Sequence, residues 1–470
     1  MSLSNKRDFM TKLLAVLIVN LLLFSASIVA ADNGDITDLK NILEKDGFTV
    51  QEGKFGYVDI IGLYEAGLSP SCFGNNPSTP YMLYFLPPPP GEKAIAENPN
   101  DADTLDNKTL MGYRLRPDEA LLFIGRTPPE CKYFSFVPYV YDRYFPNEGQ
   151  RRRVFASLGD PLNIITIKTS GNSTFNASTF MITAADQGIN DRIKAAGMAA
   201  GYSENIMNSA VIPPQLVKMG IGQNADKFLM LTRLAFFKDK EAGQDYLNGT
   251  AARVFRITPR VISNSSQPYG TPKLRVRGTG NTSELNLTSA LNDLREAILK
   301  ENMGYNVTEL TTQVWLYEGY DALQRGIDVI GENRDTTYLR TNNFTLGNSS
   351  KDFLIVYGIN HAMTGRATYS NFGIYGADIL NGVGAIPTMN LTGTADRHLP
   401  GNPAAKYLYV YKVSRHCNES DCLFVPWGKK AHGIEFNQPA FIGFRAYLEN
   451  ATKSGPSWSE IVYDRVIKFS

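Results

Sequence analysis

All four histidines of this 470-residue chain, His361, His398, His416 and His432, fall within its last 110 residues. Histidine is the commonest metal ligand and general base, so the cluster is the first place to look for chemistry. In Asp396-Arg397-His398 a strand would put Asp396 and His398 on one face. Joined by His361 from a loop, these two could hold zinc, copper or iron on a β scaffold, or serve as a metal-free acid and base. The plainer reading, which comes first, is four separate histidines satisfied by backbone groups or facing water. His361, Asp396 and His398 are therefore the candidate catalytic and metal-ligating residues, and the sequence itself requires no cofactor.

Two other patterns could bind. Asp101, Asp103 and Asp106 have the spacing of a calcium-wrapping loop but lack its glycine and terminal glutamate, which favours an ordinary polar turn. Tyr407, Tyr409 and Tyr411 alternate along one strand, so they form a sugar-stacking face if exposed and a packed ladder if buried. No G-x-S-x-G, H-E-x-x-H or Walker motif occurs, and Gly220-x-Gly222-x-x-Ala225 precedes a strand instead of opening a helix.

The compartment is easier to read. Lys6, Arg7 and Lys12 precede an apolar run, Leu13 to Ala30, and Val29-Ala30-Ala31 offers small residues for cleavage before Asp32. A signal peptide over 1–31 is expected, with an uncleaved anchor as the alternative; no later segment is long and apolar enough to span a membrane. Thirteen Asn-x-Ser/Thr sequons follow, at Asn107, Asn172, Asn176, Asn248, Asn264, Asn281, Asn286, Asn306, Asn343, Asn348, Asn390, Asn418 and Asn450. That excess over chance predicts an N-glycosylated, secreted or cell-surface protein. Four cysteines in an oxidising compartment suggest the disulfides Cys72–Cys131 and Cys417–Cys422, each inside one domain, though other pairings are open. The formal charge of +1 argues against a nucleic-acid partner. A carbohydrate or another cell-surface molecule is the candidate partner, and no oligomeric state follows from the sequence. Arg151-Arg152-Arg153 reads as a solvated loop, and the sequon-free stretch 110–160 as the expected contact surface.

These residues must be positioned by a β-dominated α+β chain. Asp35 to Asp46 reads as an amphipathic helix stopped by Gly47, followed by short apolar runs at Tyr57–Tyr64, Tyr81–Leu86, Leu121–Gly125 and Tyr133–Tyr141, separated by Gly, Pro and Asn. A strand at Thr179–Ala184, a helix capped by Asp186, a short helix from Pro213 to Lys218 and strands at Phe228–Phe237 and Ala252–Ile257 suggest a compact α+β module. The predicted organisation is a β-rich domain at 48–170, the α+β module at 171–275, a helical connector at 276–335 and a second β-rich domain at 336–470.

The two β-rich parts repeat each other. Tyr133-x-x-Phe136-x-x-Tyr139 is echoed by Tyr369-x-x-Phe372-x-x-Tyr375, with Asp160 and Asp396 downstream and the strands Leu121–Gly125 and Phe353–Gly358 upstream. Duplication of an antiparallel β-sandwich or jelly-roll-like domain accounts for this, the two copies flanking the smaller α+β module. The run Tyr133-Phe134-Ser135-Phe136, then Tyr141-Asp142 and Ser157-Leu158-Gly159-Asp160, resembles a motif of uncharacterised secreted proteins with paired β-sandwich domains. The resemblance implies the sandwich fold and no established reaction. The leading expectation is an exported glycoprotein with a binding or structural role, the alternatives being an extracellular enzyme with a histidine-containing site and a carbohydrate-binding protein.

Overall fold

The computed structural model describes residues 34–93, 108–262 and 267–470. The leader, the Asp101, Asp103 and Asp106 loop, Asn107 and Asn264 lie outside the described residues.

In chain order the first strands are β1 (Phe48–Glu52), β2 (Lys54–Tyr57), β3 (Tyr81–Phe85), β4 (Ala120–Arg126), β5 (Cys131–Phe145), β6 (Gln150–Ser157), β7 (Leu162–Asn163), β8 (Ser178–Ala184), β9 (Met207–Val211), β10 (Lys227–Phe237) and β11 (Ala252–Pro259). The later ones are β12 (Val307–Leu310), β13 (Thr312–Val314), β14 (Thr336–Thr341), β15 (Phe353–Ile359), β16 (Tyr369–Gly376), β17 (Gly382–Pro387), β18 (Leu408–Ser414), β19 (Cys422–Phe424), β20 (Ala440–Tyr447) and β21 (Arg465–Phe469). The first set forms two sheets, ordered β1-β11-β4-β8-β9 and β2-β3-β10-β5-β6, with β7 beside β5. The second set repeats both, as β12-β21-β15-β18-β19 and β13-β14-β20-β16-β17. Even the one parallel pairing recurs at the same edge, β8 with β9 and β18 with β19. The fold is thus a β-dominated α+β architecture in which every strand of one sandwich except β7 has its counterpart, in order, in the other.

Packing follows from the apolar faces. Phe123, Met181 and Val254 of one sheet meet Met82, Phe136 and Met230 of its partner in the first core. Val356, Tyr411 and Val466 meet Phe372, Ile442 and Phe444 in the second. The helix Ile36–Lys45, capped by Asp35, and the helix Gln187–Ala199, capped by Asp186, cover the outer face of the first sandwich. The helix Thr288–Glu301 lays Leu291, Leu294 and Ile298 on the outer face of the second. The two inner sheets meet through Tyr133, Ala235, Tyr369 and Tyr447.

Several expectations change. Strands from 171–275 hydrogen-bond with those from 48–170, β8 and β11 on either side of β4 and β10 against β5, so this stretch completes the first two sheets and does not stand apart as a module. Likewise β12 and β13, from the expected connector, belong to the second pair of sheets. Tyr57–Tyr64 is not one strand, because Asp59 caps a short helix at Ile60–Glu65. Residues 213–218 form turns instead of a helix. The stretch 110–160 is mostly interior strand and supplies little contact surface. Arg151, Arg152 and Arg153 lie on β6, each against a carboxylate: Asp142, Glu148 and Asp328. Cys417 and Cys422 form the expected disulfide in the loop between β18 and β19. Cys72 and Cys131 do not pair: both are buried free thiols, Cys131 in the first sandwich core and Cys72 in a loop that leaves its own sandwich for the other.

Candidate functional site

Two loops carry the site. In the first copy the segment between the helix Ile60–Glu65 and β3 ends in Phe73-Gly74-Asn75-Asn76-Pro77-Ser78-Thr79-Pro80-Tyr81. In the second, the segment running from the helix Gly319–Arg325 into β14 carries Ile330-Gly331-Glu332-Asn333-Arg334-Asp335-Thr336-Thr337-Tyr338. Gly, Asn, Thr and Tyr stand at the same four places in both. Each loop is an arm that docks on the opposite copy. Cys72 and Gly74 N–H donate to Ile379 and Leu380 carbonyls at 2.8 Å each, and Val329 and Gly331 N–H donate to Val154 and Phe155 carbonyls at 3.1 and 2.7 Å. The side chains reciprocate: Asn75 Oδ1 accepts from Gly382 N–H at 2.8 Å, Glu332 Oε1 from Ser157 N–H at 2.9 Å. Tyr369 donates to Ser78 Oγ at 3.3 Å, and Tyr133 donates to Asp335 Oδ2 at 2.9 Å. The sharp turn each arm needs puts Phe73 and Gly74 at φ 55° and 67°, and Ile330 and Gly331 at φ 45° and 74°.

Beneath the arms the inner sheets each present one arginine. Arg233 on β10 stands opposite Tyr81, and Arg445 on β20 stands opposite Tyr338. Arg233 donates to Tyr139 Oη at 2.5 Å and to the Gly331 carbonyl of the other copy's arm. Arg445 repeats this, donating to Tyr375 Oη and, at 2.7 Å, to the Gly74 carbonyl. Tyr139 and Tyr375 are the last positions of the aromatic repeat in the sequence, so part of that repeat is fixed by the job of seating two buried cations. Ring faces add support: Arg233 lies 5.4 Å from the Tyr139 centroid, and Arg445 lies 5.1 and 5.2 Å from those of Tyr375 and Trp315.

Between the arms and the inner sheets lies a cavity of about 80 Å³ that opens to solvent. Its wall is chiefly apolar, with Leu83, Met111, Phe155 and Leu231 among the lining, and both arginines reach it. Cys72 also lines it, but burial pushes its thiol up to about 12, so it stays protonated and inert at neutral pH. Its lining combines apolar walls with a few placed polar groups.

The sequence candidates lie elsewhere, and apart. His361 is buried, its Nδ1 3.0 Å from Glu284 Oε1 and its Nε2 3.6 Å from Asp464 Oδ2. His398 is engaged separately, 2.7 Å from Glu301 Oε2. Asp396 is exposed in a turn and joins neither. His416 meets the Asn348 carbonyl at 2.9 Å, and His432 is exposed at the end of a single helical turn. Among the described residues no group of three or more His, Cys, Asp or Glu side chains could hold a metal ion. The reason is local: each histidine near a carboxylate has its own, supplied by a different element. Asp160 does not mirror Asp396 either, being held by Arg334 and Arg275. Tyr409 and Tyr411 are core residues packed near Phe372, and Tyr407 precedes the strand, so the tyrosine face is a packed ladder and presents no sugar platform.

Sequence reasoning passed over Arg233 and Arg445. A signal was present: each is a lone charge inside an apolar strand, Leu231-Thr232-Arg233-Leu234-Ala235 and Phe444-Arg445-Ala446-Tyr447, where charge is costly unless matched. The arm repeat was the second signal.

The arms differ at one informative place. Where the first has Asn75, the second has Glu332, whose carboxyl is pushed up to about 7 by burial and then by the neighbouring Glu318 charge. A carboxyl whose pKa is raised on folding costs stability as pH climbs from its unfolded value through the folded one. Glu332→Gln keeps the acceptor for Ser157 and removes that cost. It is expected to stabilise the protein by about 1 to 3 kcal/mol at pH 8 and to give no gain near pH 4. Urea unfolding at both pH values measures this; an equal effect at both would refute it.

Known proteins offer little beside this geometry. The chain matches no protein-family model, and it matches no curated protein. Among solved structures it is similar to the VPA0106 protein of Vibrio parahaemolyticus, at 12% identity and a TM-score of 0.39 over 87% of this chain and 96% of that one. It is also similar to an uncharacterised protein of Burkholderia cenocepacia, at 10% identity and a TM-score of 0.37 over 92% of this chain and 86% of that one. At these similarities nothing about activity passes to this chain, and its own residues remain the guide to function.

Proposed function

We propose that this protein is an exported N-glycoprotein, secreted or held at the cell surface, whose role is to bind. The observation that supports export is the placement of its asparagines. All eleven sequon asparagines among the described residues are exposed. Among the same residues the nine buried asparagines, Asn163, Asn333 and Asn371 among them, all lie outside sequons. A glycosyl acceptor must be reachable, whereas a buried amide serves internal hydrogen bonds, and the chain sorts its asparagines along that line. The sequons also extend over both sandwiches, from Asn172 to Asn450, which suits a molecule surrounded by water. The binding role is supported by the cavity between the two copies, an apolar recess into which convergent polar groups reach.

Expression of the full chain in a glycosylating secretion host tests this. The expected product is found in the medium, begins at Asp32, and loses the mass of several glycans on treatment with a peptide N-glycosidase. A product retained inside the cell, or secreted with no change in mass, would overturn the reading.

A further inference from the structure

We propose that the cavity between the two copies binds a small organic anion with an apolar body, its carboxylate received by Arg233 and Arg445. Buried arginines elsewhere in the chain show what the fold does when a cation has only a structural task. Arg143, Arg256, Arg334 and Arg366 each have a carboxylate, at 2.6 to 2.8 Å, in Asp226, Glu119, Asp160 and Glu449. Arg415 has none, but its nitrogens reach the carbonyls of Leu346, Val425, Pro426 and Glu435. Arg233 and Arg445 do neither. Each is 5% exposed, and each makes two hydrogen bonds, one to a phenol and one to a carbonyl. A guanidinium carries five N–H groups, so donors remain on both side chains where they line the cavity.

The two cations also work on common ground. Tyr338 and Tyr447 each feel both guanidiniums, so like charges are brought toward one region with no carboxylate in ion-pairing contact among the described residues. Burying two like charges this way costs stability, and an anion drawn between them removes the cost. The arms hold both side chains through the Gly74 and Gly331 carbonyls, which prearranges the donors before any ligand arrives. The remaining wall is chiefly apolar, so an inorganic anion would meet the arginines and leave that wall without a partner. A carboxylate on a hydrocarbon or aromatic body satisfies both halves, with charge-assisted bonds at one end and hydrophobic burial along the rest. The inference rests on the proposed binding role of this cavity but not on export or glycosylation, which the secretion experiment tests separately.

Calorimetric titration of the full-length protein with decanoate and with decanol tests this directly, since the two differ in the charged head. Decanoate is expected to bind with one molecule per chain and at least about tenfold more tightly than decanol. Arg233→Gln and Arg445→Gln should each abolish that preference. Should either variant fail to fold, Arg233→Lys and Arg445→Lys keep the charge and are expected to weaken decanoate by about three- to tenfold, because the planar fork is lost. Val58→Trp fills the cavity from its wall while leaving both arginines in the sequence, and should remove binding of both probes. Equal affinity for decanoate and decanol, binding of neither, or unchanged decanoate binding in Val58→Trp would overturn the proposal.

Discussion

Replacing Gly331 with valine is expected to destabilise the protein by about 3 kcal/mol or more, the sum of two separable costs. The first is conformational: at φ 74° a β-branched residue is held in the left-handed region, which costs about 1 to 2 kcal/mol. The second is steric, because a Cβ on Gly331 would stand 2.7 Å from the Phe155 ring, which is itself held at φ 31° and gripped by the Gly331 N–H. Gly74→Val repeats the test in the other arm, at φ 67°, but its Cβ would meet Trp315 at the milder distance of 3.1 Å, so a smaller loss is expected. Gly149 provides the control. Its φ is 65°, and nothing lies within 4 Å of a Cβ built there, so Gly149→Val should show the conformational cost alone. Urea unfolding of the three variants should rank Gly331 above Gly74 above Gly149. If Gly331→Val and Gly149→Val cost the same, the arm is not packed as described. Because the Gly331 carbonyl also seats Arg233, the first variant should disturb the cavity as well as the fold.

The arms explain both the reach and the limit of the sequence reading. Local signals were legible. Asp186 caps the helix it was expected to cap, the amphipathic helix expected over Asp35 to Asp46 forms at Ile36–Lys45, and Tyr133, Phe136 and Tyr139 occupy the same register against β10 as Tyr369, Phe372 and Tyr375 do against β20. Caps and aromatic spacing are properties of a few adjacent residues, so they survive in a single sequence. Partnership between distant strands is not local. Nothing in Phe228–Phe237 says that it will lie between β3 and β5, and the stretch 171–275 therefore looked like a unit of its own. The disulfide expectation for Cys72 failed for the same reason: it assumed that a residue stays with its nearest neighbours in sequence, whereas Cys72 begins an arm that crosses to the other copy. The histidine cluster was a clustering in sequence that the fold disperses. The cavity arginines left a trace, a lone charge in each of two apolar strands. Their significance depends on the arms, whose nine-residue repeat shares only four residues and lies where no periodicity draws attention to it.

His361 now has a structural part in place of a catalytic one, and its replacement carries the other large expected effect. Burial draws the imidazole pKa down, but the charges of Glu284 and Asp464 outweigh this and hold it up to about 10, so it is a buried cation between two carboxylates. Glu284 also accepts from Thr364 Oγ1 at 2.6 Å and from Val462 N–H at 2.8 Å, so the cluster ties the segment before the helix Thr288–Glu301 to the loops after β15 and before β21. His361→Gln leaves two carboxylates in a dry site with no cation between them, a loss of about 3 to 5 kcal/mol at pH 6. The pH dependence identifies the cause. A histidine whose pKa rises on folding contributes fully below its unfolded value, near 6.5, and the contribution is lost as pH climbs through about 10. Glu284, held below its ordinary value by His361 against the opposing effect of burial, sets the acid edge, its share disappearing as pH falls through that lowered value. The difference in unfolding free energy between wild type and His361→Gln should therefore be largest near pH 6 and shrink toward pH 10. A difference that stays constant from pH 6 to 10 would mean that shape, not charge, is what His361 supplies.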